Sequence, residues 1–455
     1  MNYELLFKEL QDRRIRIALT GANGGFSRTL LVQCRAVANI EIAALCDLDL
    51  EGTLAMLETL GIPAASVGIC RDQAQVRAAA AAGKIVLVGD HALLDGVALD
   101  IVVEATGQPE VSVSIATAAI SRGVHVAMVT KETDSAVGPY LNRLALEHGV
   151  VYTTVDGDQP SNLIGLVTWA RLLGFDIVAA GKSSEYDYIY HAGERQIEYT
   201  EQRHAVDGLD ALWELGDDIP ARLAQRSAAL AALPQSATPD YCELNVVCNS
   251  TGLLPARDAL NYPLCRISEL ADVFIPREDG GILDRVGVVD VFNCLRRHDE
   301  ASFGGGVFIV VRCIDETVWK LLQQKGHVVS RRRQYACIYL PYHLMGLESL
   351  MSLFSAVLHS RPSGSDKQAV HAVMLARAQR DFKAGEVLSM GGHQHHISDI
   401  APLLVPATEA GGKAPFYLAA NKRLRTNVAR GADITVEALE LDGSALYDAW
   451  KQLPA

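Results

Sequence analysis

No two cysteines in this sequence stand at C-x-x-C spacing, and the nine present are scattered between Cys34 and Cys337. An odd, dispersed set excludes a disulfide-stapled scaffold and supplies no zinc-ligand spacing, so buried, reduced thiols are expected. Long apolar runs are missing as well: none approaches the ~18 residues that a membrane span needs. The opening MNYELLFKELQDRR carries acids early and has no apolar stretch of the secretory type. The expectation is a cytoplasmic protein with no membrane partner. Basic residues are in deficit, 41 Lys and Arg against 54 Asp and Glu, for a net charge of −13. A surface of that sign repels phosphate backbones and argues against nucleic-acid binding, although a few local cations suffice for a phosphorylated small molecule.

What the chain has is an ordinary globular mixture, 49% hydrophobic and 21% charged over 455 residues, which excludes a disordered or collagen-like polymer. At a soft prior of about 150 residues per domain this length suggests roughly three domains. The run IRIALT at 15–20 is short, apolar and β-branched, and GANGGFS follows it at once. SRTLLVQCRAVA then has helical spacing, and EIAALCD at 41–47 is again strand-like. Strand, glycine turn, helix, strand is the first unit of a dinucleotide-binding fold. Gly21 and Gly24 let the backbone turn tightly and approach a pyrophosphate, whose charge meets the N-terminus of the following helix. Gly21, Asn23, Gly24, Gly25 and Phe26 are therefore expected cofactor contacts, with Ser27 where a third glycine is usual. Asp47 ends the second strand. An acid there accepts ribose hydroxyls of NAD and repels a 2′-phosphate, unless it serves as a helix cap.

Further strand-like runs follow in ALDIVVEATG (98–107), which brings Thr106 and Gly107 to a small-residue turn, and VHVAMVTKE (124–132), which delivers Lys131 and Glu132. GVVYTTVDGDQP (149–160) presents Asp156 and Asp158 in the same way. Ligands of open α/β sheets bind outside the carboxyl ends of the strands. Two carboxylates in D-G-D-Q-P suit a divalent cation through hard oxygen ligands, or equally a turn in which Asp, Gly and Pro have only conformational roles. DIVAAGKSSEYDYIY (176–190) adds Lys182 and Glu185 at a spacing of three.

The order glycine turn, strand ending in Lys-Glu, Asp-x-acid, Lys-x-x-Glu resembles 1-deoxy-D-xylulose 5-phosphate reductoisomerase. The resemblance implies Asp156, Asp158 and Glu185 as ligands of a divalent metal, Mg or Mn, with Asp158 standing where that family has Glu. It implies Lys182 as a substrate contact and Lys131, with Glu132 beside it, between nicotinamide and substrate. Nearly the whole chain is similar to a divergent group of homoserine-dehydrogenase-like, SAF-domain oxidoreductases. GGILDRVGVVDVFNCLRRHDE with GGGVFIVV (280–311) and PYHLMGLESLMSLFSAVL (341–358) carry that likeness. A known activity in the group converts 1-deoxy-D-xylulose 5-phosphate to 2-C-methyl-D-erythritol 4-phosphate with NADPH. The resemblance thus points to NADP, whereas Asp47 favours NAD.

The rest of the chain carries weaker signals. Residues 200–235 have helical periodicity and read as an inserted helix pair, where Trp213 with His191 either covers a substrate or packs in a core. Arg277 in PREDGG and the run Arg331–Arg333 face a phosphate or make surface ion pairs. The triple glycine 304–306 implies a close backbone approach. PYHL enters a long amphipathic helix with His343 near its start, a candidate catalytic imidazole. GGHQHH (391–396) lacks a helical pair of ligands and reads as a loop. From 373 onward, ARAQRDFKAGE and GADIT look like the SAF module, a small β clip in which Asp381, Gly385, Gly431 and Asp433 are structural and which caps the active site.

The expected architecture is α/β: a Rossmann-type doubly wound domain at 1–155, an α+β catalytic domain at 156–372, and an all-β SAF-like module at 373–455. The expected activity is that of an NAD(P)-dependent reductoisomerase acting on a phosphorylated keto-sugar or polyol, in a homo-oligomer. Two alternatives stand beside it: a metal-free, homoserine-dehydrogenase-like alcohol dehydrogenase using Lys131 and an acid, and a ligand-sensing protein without turnover.

Overall fold

The computed structural model describes residues 1–392 and 394–454. The chain divides into two compact units, one of residues 1–161, 344–370 and 441–455, the other of 162–343 and 371–440. The chain crosses between them after residues 161, 343, 370 and 440, so residues 373–455 are shared between both.

The first unit is a seven-stranded sheet of β1 Ile15–Thr20, β2 Ile40–Cys46, β3 Val67–Cys70, β4 Ile85–Val88, β5 Ile101–Glu104, β6 His125–Met128 and β7 Tyr152–Thr153. The spatial order is β3-β4-β2-β1-β5-β6-β7 and every pairing is parallel. Parallel strands covered on both faces read as continuous apolar runs, and IVVE of β5 is buried at all four positions. Leu30 and Leu31 of the helix Gly25–Ala36, Leu57 of Leu50–Thr59, and Leu353 and Phe354 of Leu350–His359 join Ile15, Ile17 and Leu19 in one core. Each such fully buried side chain is worth about 1.5–3 kcal/mol relative to exposure. The chain leaves β1 for β2 in one direction and β5 lies on β1's other side, so the topological switch falls between Thr20 and Glu104.

The second unit holds β8 Asp176–Ser183, β9 Tyr188–His191, β10 Gln196–Tyr199, β11 Gln202–Ala205, β12 Leu254–Pro255, β13 Leu264–Cys265, β14 Val288–Arg297, β15 Val307–Arg312 and β16 Tyr335–Leu340. They form a mixed sheet in the order β11-β10-β9-β14-β8-β15-β16, with β12 and β13 also on β14. The helix Thr238–Thr251 packs against β14. Residues 371–440 are chiefly short β pairings: β17 Ala372–Ala378 with β20 Ile400–Pro406, and β18 Met390–Gly391 with β19 His396–Ile397. Asp433 there binds Arg377 at 2.6 Å and Lys413 at 3.1 Å, and Asp381 accepts the Arg430 N–H at 2.7 Å, which are structural roles.

Two local expectations are corrected. Residues 200–235 are not a helix pair throughout, because Gln202–Ala205 pairs with Gln196–Tyr199 as a hairpin before the helices Leu209–Leu212 and Ile219–Ala229. The helix after PYHL begins only at Leu350, leaving His343 in an irregular segment ahead of it. In GGHQHH, Gly391 ends β18 and His396 begins β19, and His393 lies outside the described residues. None of the nine cysteines is in a disulfide, eight are buried, and burial pushes Cys34 and Cys46 up to about 12, which leaves them unreactive. No helix among the described residues is long and apolar enough to cross a membrane.

Candidate active site

Because its strands are parallel, the first unit gathers all their carboxyl ends on one edge. Gly21 leaves β1 at φ +66°, and a Cβ there would sit 2.3 Å from the Ala105 carbonyl oxygen, so the β1 and β5 turns abut closely enough to demand glycine. Ser27, in place of the third glycine, is buried and donates its hydroxyl to the Gly21 carbonyl at 2.7 Å, which ties the turn to its own helix. Gly24 caps the helix Gly25–Ala36 without a side-chain hydrogen bond, and Asn23, Gly24 and Gly25 are exposed. Open N–H groups at a helix N-terminus suit a pyrophosphate. Asp47 accepts the N–H groups of Asn23 at 2.8 Å and Asp49 at 2.9 Å. The helix cap in that stretch is Asp49, which accepts the Gly52 N–H at 2.8 Å. These residues fit a dinucleotide.

On the other side of the switch, Glu104 is completely buried. It accepts from the Thr106 N–H at 3.0 Å, the Thr106 hydroxyl at 2.6 Å and the Ser112 hydroxyl at 2.7 Å. Burial raises its pKa against the pull of those hydrogen bonds. Gly107, at φ +65°, donates its N–H to the Thr130 hydroxyl at 3.0 Å. The Thr106–Gly107 turn is therefore held from below by one carboxyl and from the side by Thr130.

Lys131 begins the helix Lys131–Glu147, and its ammonium lies 3.4 Å from Asp158 Oδ1. Asp158 is buried and also accepts the Gln159 N–H at 3.0 Å, while the lysine is partly exposed. Glu132 is buried in the same helix. Asp156 faces a different set: the Ser161 hydroxyl donates to Oδ1 at 2.7 Å, the Ser363 hydroxyl to Oδ2 at 2.8 Å, and its own N–H donates to Ser352 Oγ at 2.7 Å. Gly157 between the acids has φ +83°, and a Cβ there would meet the Leu344 carbonyl at 2.4 Å. One turn beyond Lys131, buried Asp134 accepts the Tyr152 hydroxyl at 2.9 Å, and burial pushes its pKa up to about 7.

In the second unit Lys182 is only 2% exposed. Its ammonium contacts Asp240 Oδ1 at 2.6 Å and Glu243 Oε2, both on the helix Thr238–Thr251. The Tyr262 and Ser184 hydroxyls each donate to Asp240 Oδ2 at 3.0 Å. Burial opposes the Lys182 charge, but the two carboxylates outweigh it and raise its pKa; burial also raises Asp240 against the lysine's pull. Glu185 is exposed at the end of β8, where a Cβ on Gly304 would stand 3.0 Å from its carbonyl oxygen. Gly305, at φ +75°, packs under His343, whose Cβ lies 2.6 Å from where a Gly305 Cβ would be. The triple glycine thus brings Glu185 and His343 to one turn.

Other candidates resolve into packing. Trp213 is buried between the Arg266 and Arg297 guanidiniums, 5.3 and 4.9 Å from its ring, and stacks on Tyr190. His191 stacks on His298 and faces Glu198 at 3.1 Å. Arg277 pairs with Asp284 at 2.6 Å, Arg331 with Asp272 at 3.3 Å, and Arg333 with Glu316 at 3.8 Å.

Among the described residues no group of three or more His, Cys, Asp or Glu side chains is arranged to hold a metal ion. Both oxygens of Asp156 accept a serine hydroxyl. Glu104, Asp240, Glu243, Ser352 and Ser363 escaped the sequence reading. A lone acid closing the apolar run IVVE marks Glu104, and D-x-x-E on one helix face marks Asp240 and Glu243. Nothing local marks the serines, whose partner Asp156 is 196 and 207 residues away in sequence.

Residues 157–349, less than half of the chain, match a family model described as oxidoreductase DRL, catalytic domain. That stretch is an oxidoreductase catalytic domain. No curated protein matches the chain. Among solved structures, one of DOX-P reductoisomerase in complex with NADPH, fosmidomycin and magnesium is similar at 18% identity and TM-score 0.32, covering 51% of this chain and 57% of that one. A hyperthermophilic archaeal homoserine dehydrogenase in complex with NADPH is similar at 14% identity and TM-score 0.37, covering 76% and 98%. A probable dehydrogenase from Thermotoga maritima is similar at 11% identity and TM-score 0.37, covering 76% and 90%. The chain thus spans little more than half of the reductoisomerase it is aligned with.

Proposed function

We propose that this protein is a nicotinamide-nucleotide-dependent oxidoreductase that interconverts a carbonyl and an alcohol on a small phosphorylated keto-sugar or polyol. The observation that carries this reading is the ion-paired Lys131 on the same sheet edge as an open glycine turn and an uncapped helix N-terminus. Gly21, Gly24 and Gly25 would receive the pyrophosphate, with Asn23 and Phe26 at the same turn and Thr106 and Gly107 opposite them across the switch. Asp47 favours NAD over NADP, because its charge ends β2, where folds of this type hold the ribose. A bound nicotinamide supplies or accepts the hydride. Lys131 gives a proton to the carbonyl oxygen in reduction and withdraws it in oxidation. Asp158 holds the ammonium of Lys131 in place and stabilises its charge.

A second, narrower reading is the reductoisomerase reaction on 1-deoxy-D-xylulose 5-phosphate, supported by the paired acids of D-G-D beside an oxidoreductase-type domain. It needs a divalent ion held by Asp156 and Asp158 of the first unit together with Glu185 of the second. Turnover of NADH and NADPH with that substrate, and with simple keto-sugar phosphates, tests both. Carbonyl reduction that survives EDTA supports the metal-free enzyme. Activity lost in EDTA and regained with Mn²⁺, with a rearranged carbon skeleton in the product, supports the narrower reading. Dinucleotide binding without turnover of any carbonyl refutes both and leaves a ligand-binding protein.

A further inference from the structure

The second unit holds a cavity of about 430 Å³, and none of the residues proposed above to bind the cofactor or to move a proton lines it. Its size falls within the range of cavities that enclose small molecules. Buried Leu223 and Ile282 give it apolar walls, buried Tyr262 lines it beside them, and Arg257 and Arg277 supply its charge. Among the described residues no acidic side chain lines it, in a chain whose net charge is −13. Two other clefts of the same unit set their arginines against Asp279 and further acids. This cavity is therefore the one whose charge favours an anion.

We propose that this cavity binds a small phosphate monoester with an apolar body. The arginines select the anion. Arg257 has no ion-pair partner among the described residues, and its guanidinium lies 3.5 Å from Asn261 Oδ1. Asn261 is oriented in turn by the fully buried Asp290, which accepts its N–H at 2.9 Å and its side-chain amide at 2.6 Å, so the amide oxygen is the end left for Arg257. Arg277 meets Asp284 at 2.6 Å, but both side chains are exposed, and water screens such a pair enough for an anion in the cavity to compete. Guanidinium forks match phosphate oxygens, and a monoester carries close to two negative charges at pH 7 for the two arginines. Leu223 and Ile282 then take the apolar body. The backbone is strained at the same place: Tyr262 stands at φ +47°, a left-handed conformation that is costly for a bulky side chain and recurs at ligand sites. Its hydroxyl, bonded to Asp240 at 3.0 Å, fixes the ring that lines the cavity. The site does not rest on the oxidoreductase reading.

Isothermal titration calorimetry of the full chain with phenyl phosphate tests this. A dissociation constant of about 1 mM or tighter is expected. Arg257→Gln with Arg277→Gln should raise it by about tenfold or more at an unchanged circular dichroism spectrum and melting temperature, since both side chains are exposed. Phenol, which lacks the charge, and inorganic phosphate, which lacks the ring, should each bind more weakly than phenyl phosphate by about tenfold or more. Lys131→Met should leave the phenyl phosphate affinity unchanged, which separates this cavity from the site proposed for proton transfer. Absence of binding overturns the proposal, as does an affinity indifferent to the two arginine substitutions. Phenol or inorganic phosphate binding as tightly as phenyl phosphate overturns it too.

Discussion

Replacing Lys182 by methionine separates a structural ammonium from a substrate-binding one. The side chain sits between Asp240 and Glu243 with almost no access to solvent. At the observed 2.6 Å, one ion pair at an effective dielectric of ~20 is worth about 6 kcal/mol before desolvation is subtracted. The measurable quantity is the cost of leaving two buried carboxylates without their cation, about 3–5 kcal/mol. That cost should depend on pH. In the variant the lysine no longer opposes burial at Asp240, so its folded-state pKa stands still further above its unfolded value near 4. Its contribution is complete below about pH 4 and is lost as pH rises through the folded value, at about 1.4 kcal/mol per pH unit for the one proton. Urea unfolding at pH 8 and pH 5 should therefore show a large deficit at the higher pH and a smaller one at the lower. Adding Asp240→Asn and Glu243→Gln should recover most of the loss, because the charges needing a partner are gone. A Lys182→Met protein as stable as wild type at pH 8, yet inactive, would refute the argument and return Lys182 to the substrate.

The first unit offers three further tests. Lys131→Met should lower kcat/KM by about 10²–10⁴-fold while the NADH dissociation constant, read by fluorescence, changes by less than about threefold; equal losses in both would remove Lys131 from proton transfer. Gly21→Ala should destabilise by about 1–3 kcal/mol and abolish dinucleotide binding, since its Cβ meets the Ala105 carbonyl at 2.3 Å with φ at +66°. Asp134 is held near 7 against an ordinary 3.8 by burial, so its contribution to stability is complete below about pH 4 and falls by about 4 kcal/mol as pH rises to 7. Asp134→Asn, which keeps an acceptor for Tyr152, should flatten that slope in denaturant titrations between pH 4 and pH 8, and a slope equal to wild type counts against the assignment.

The elements that place the glycine turn were legible because they depend on local rules. IRIALT is a strand because its β-branched residues suit a sheet buried on both faces, and GANGGFS turns because only glycine tolerates φ +66° beside the Ala105 carbonyl. Thr106 and Gly107 follow from the same logic after β5. The hairpin at 196–205 was missed because its charged, partly exposed strands lack the clear alternation of a half-buried sheet, and a helical period could be laid over them. The helix assigned to begin at PYHL shortened because Gly346, at φ +79°, interrupts it, with a Cβ there only 2.0 Å from the Thr29 hydroxyl.

Sequence alone therefore determined the class of this protein: an α/β chain with a parallel sheet, acidic, with nine scattered cysteines and its polar candidates at strand ends. Those properties rest on local sterics and on the alternation of apolar runs with turn residues, which neighbouring residues decide. Tertiary structure decided what each charge faces. Lys131 meets Asp158 across 27 positions, Lys182 is enclosed by acids 58 and 61 positions away, and Asp156 is bound by serines at 161 and 363. An ionised group in a protein is defined by its nearest counter-charges and its access to water, and the folded chain brings those together from segments remote in sequence.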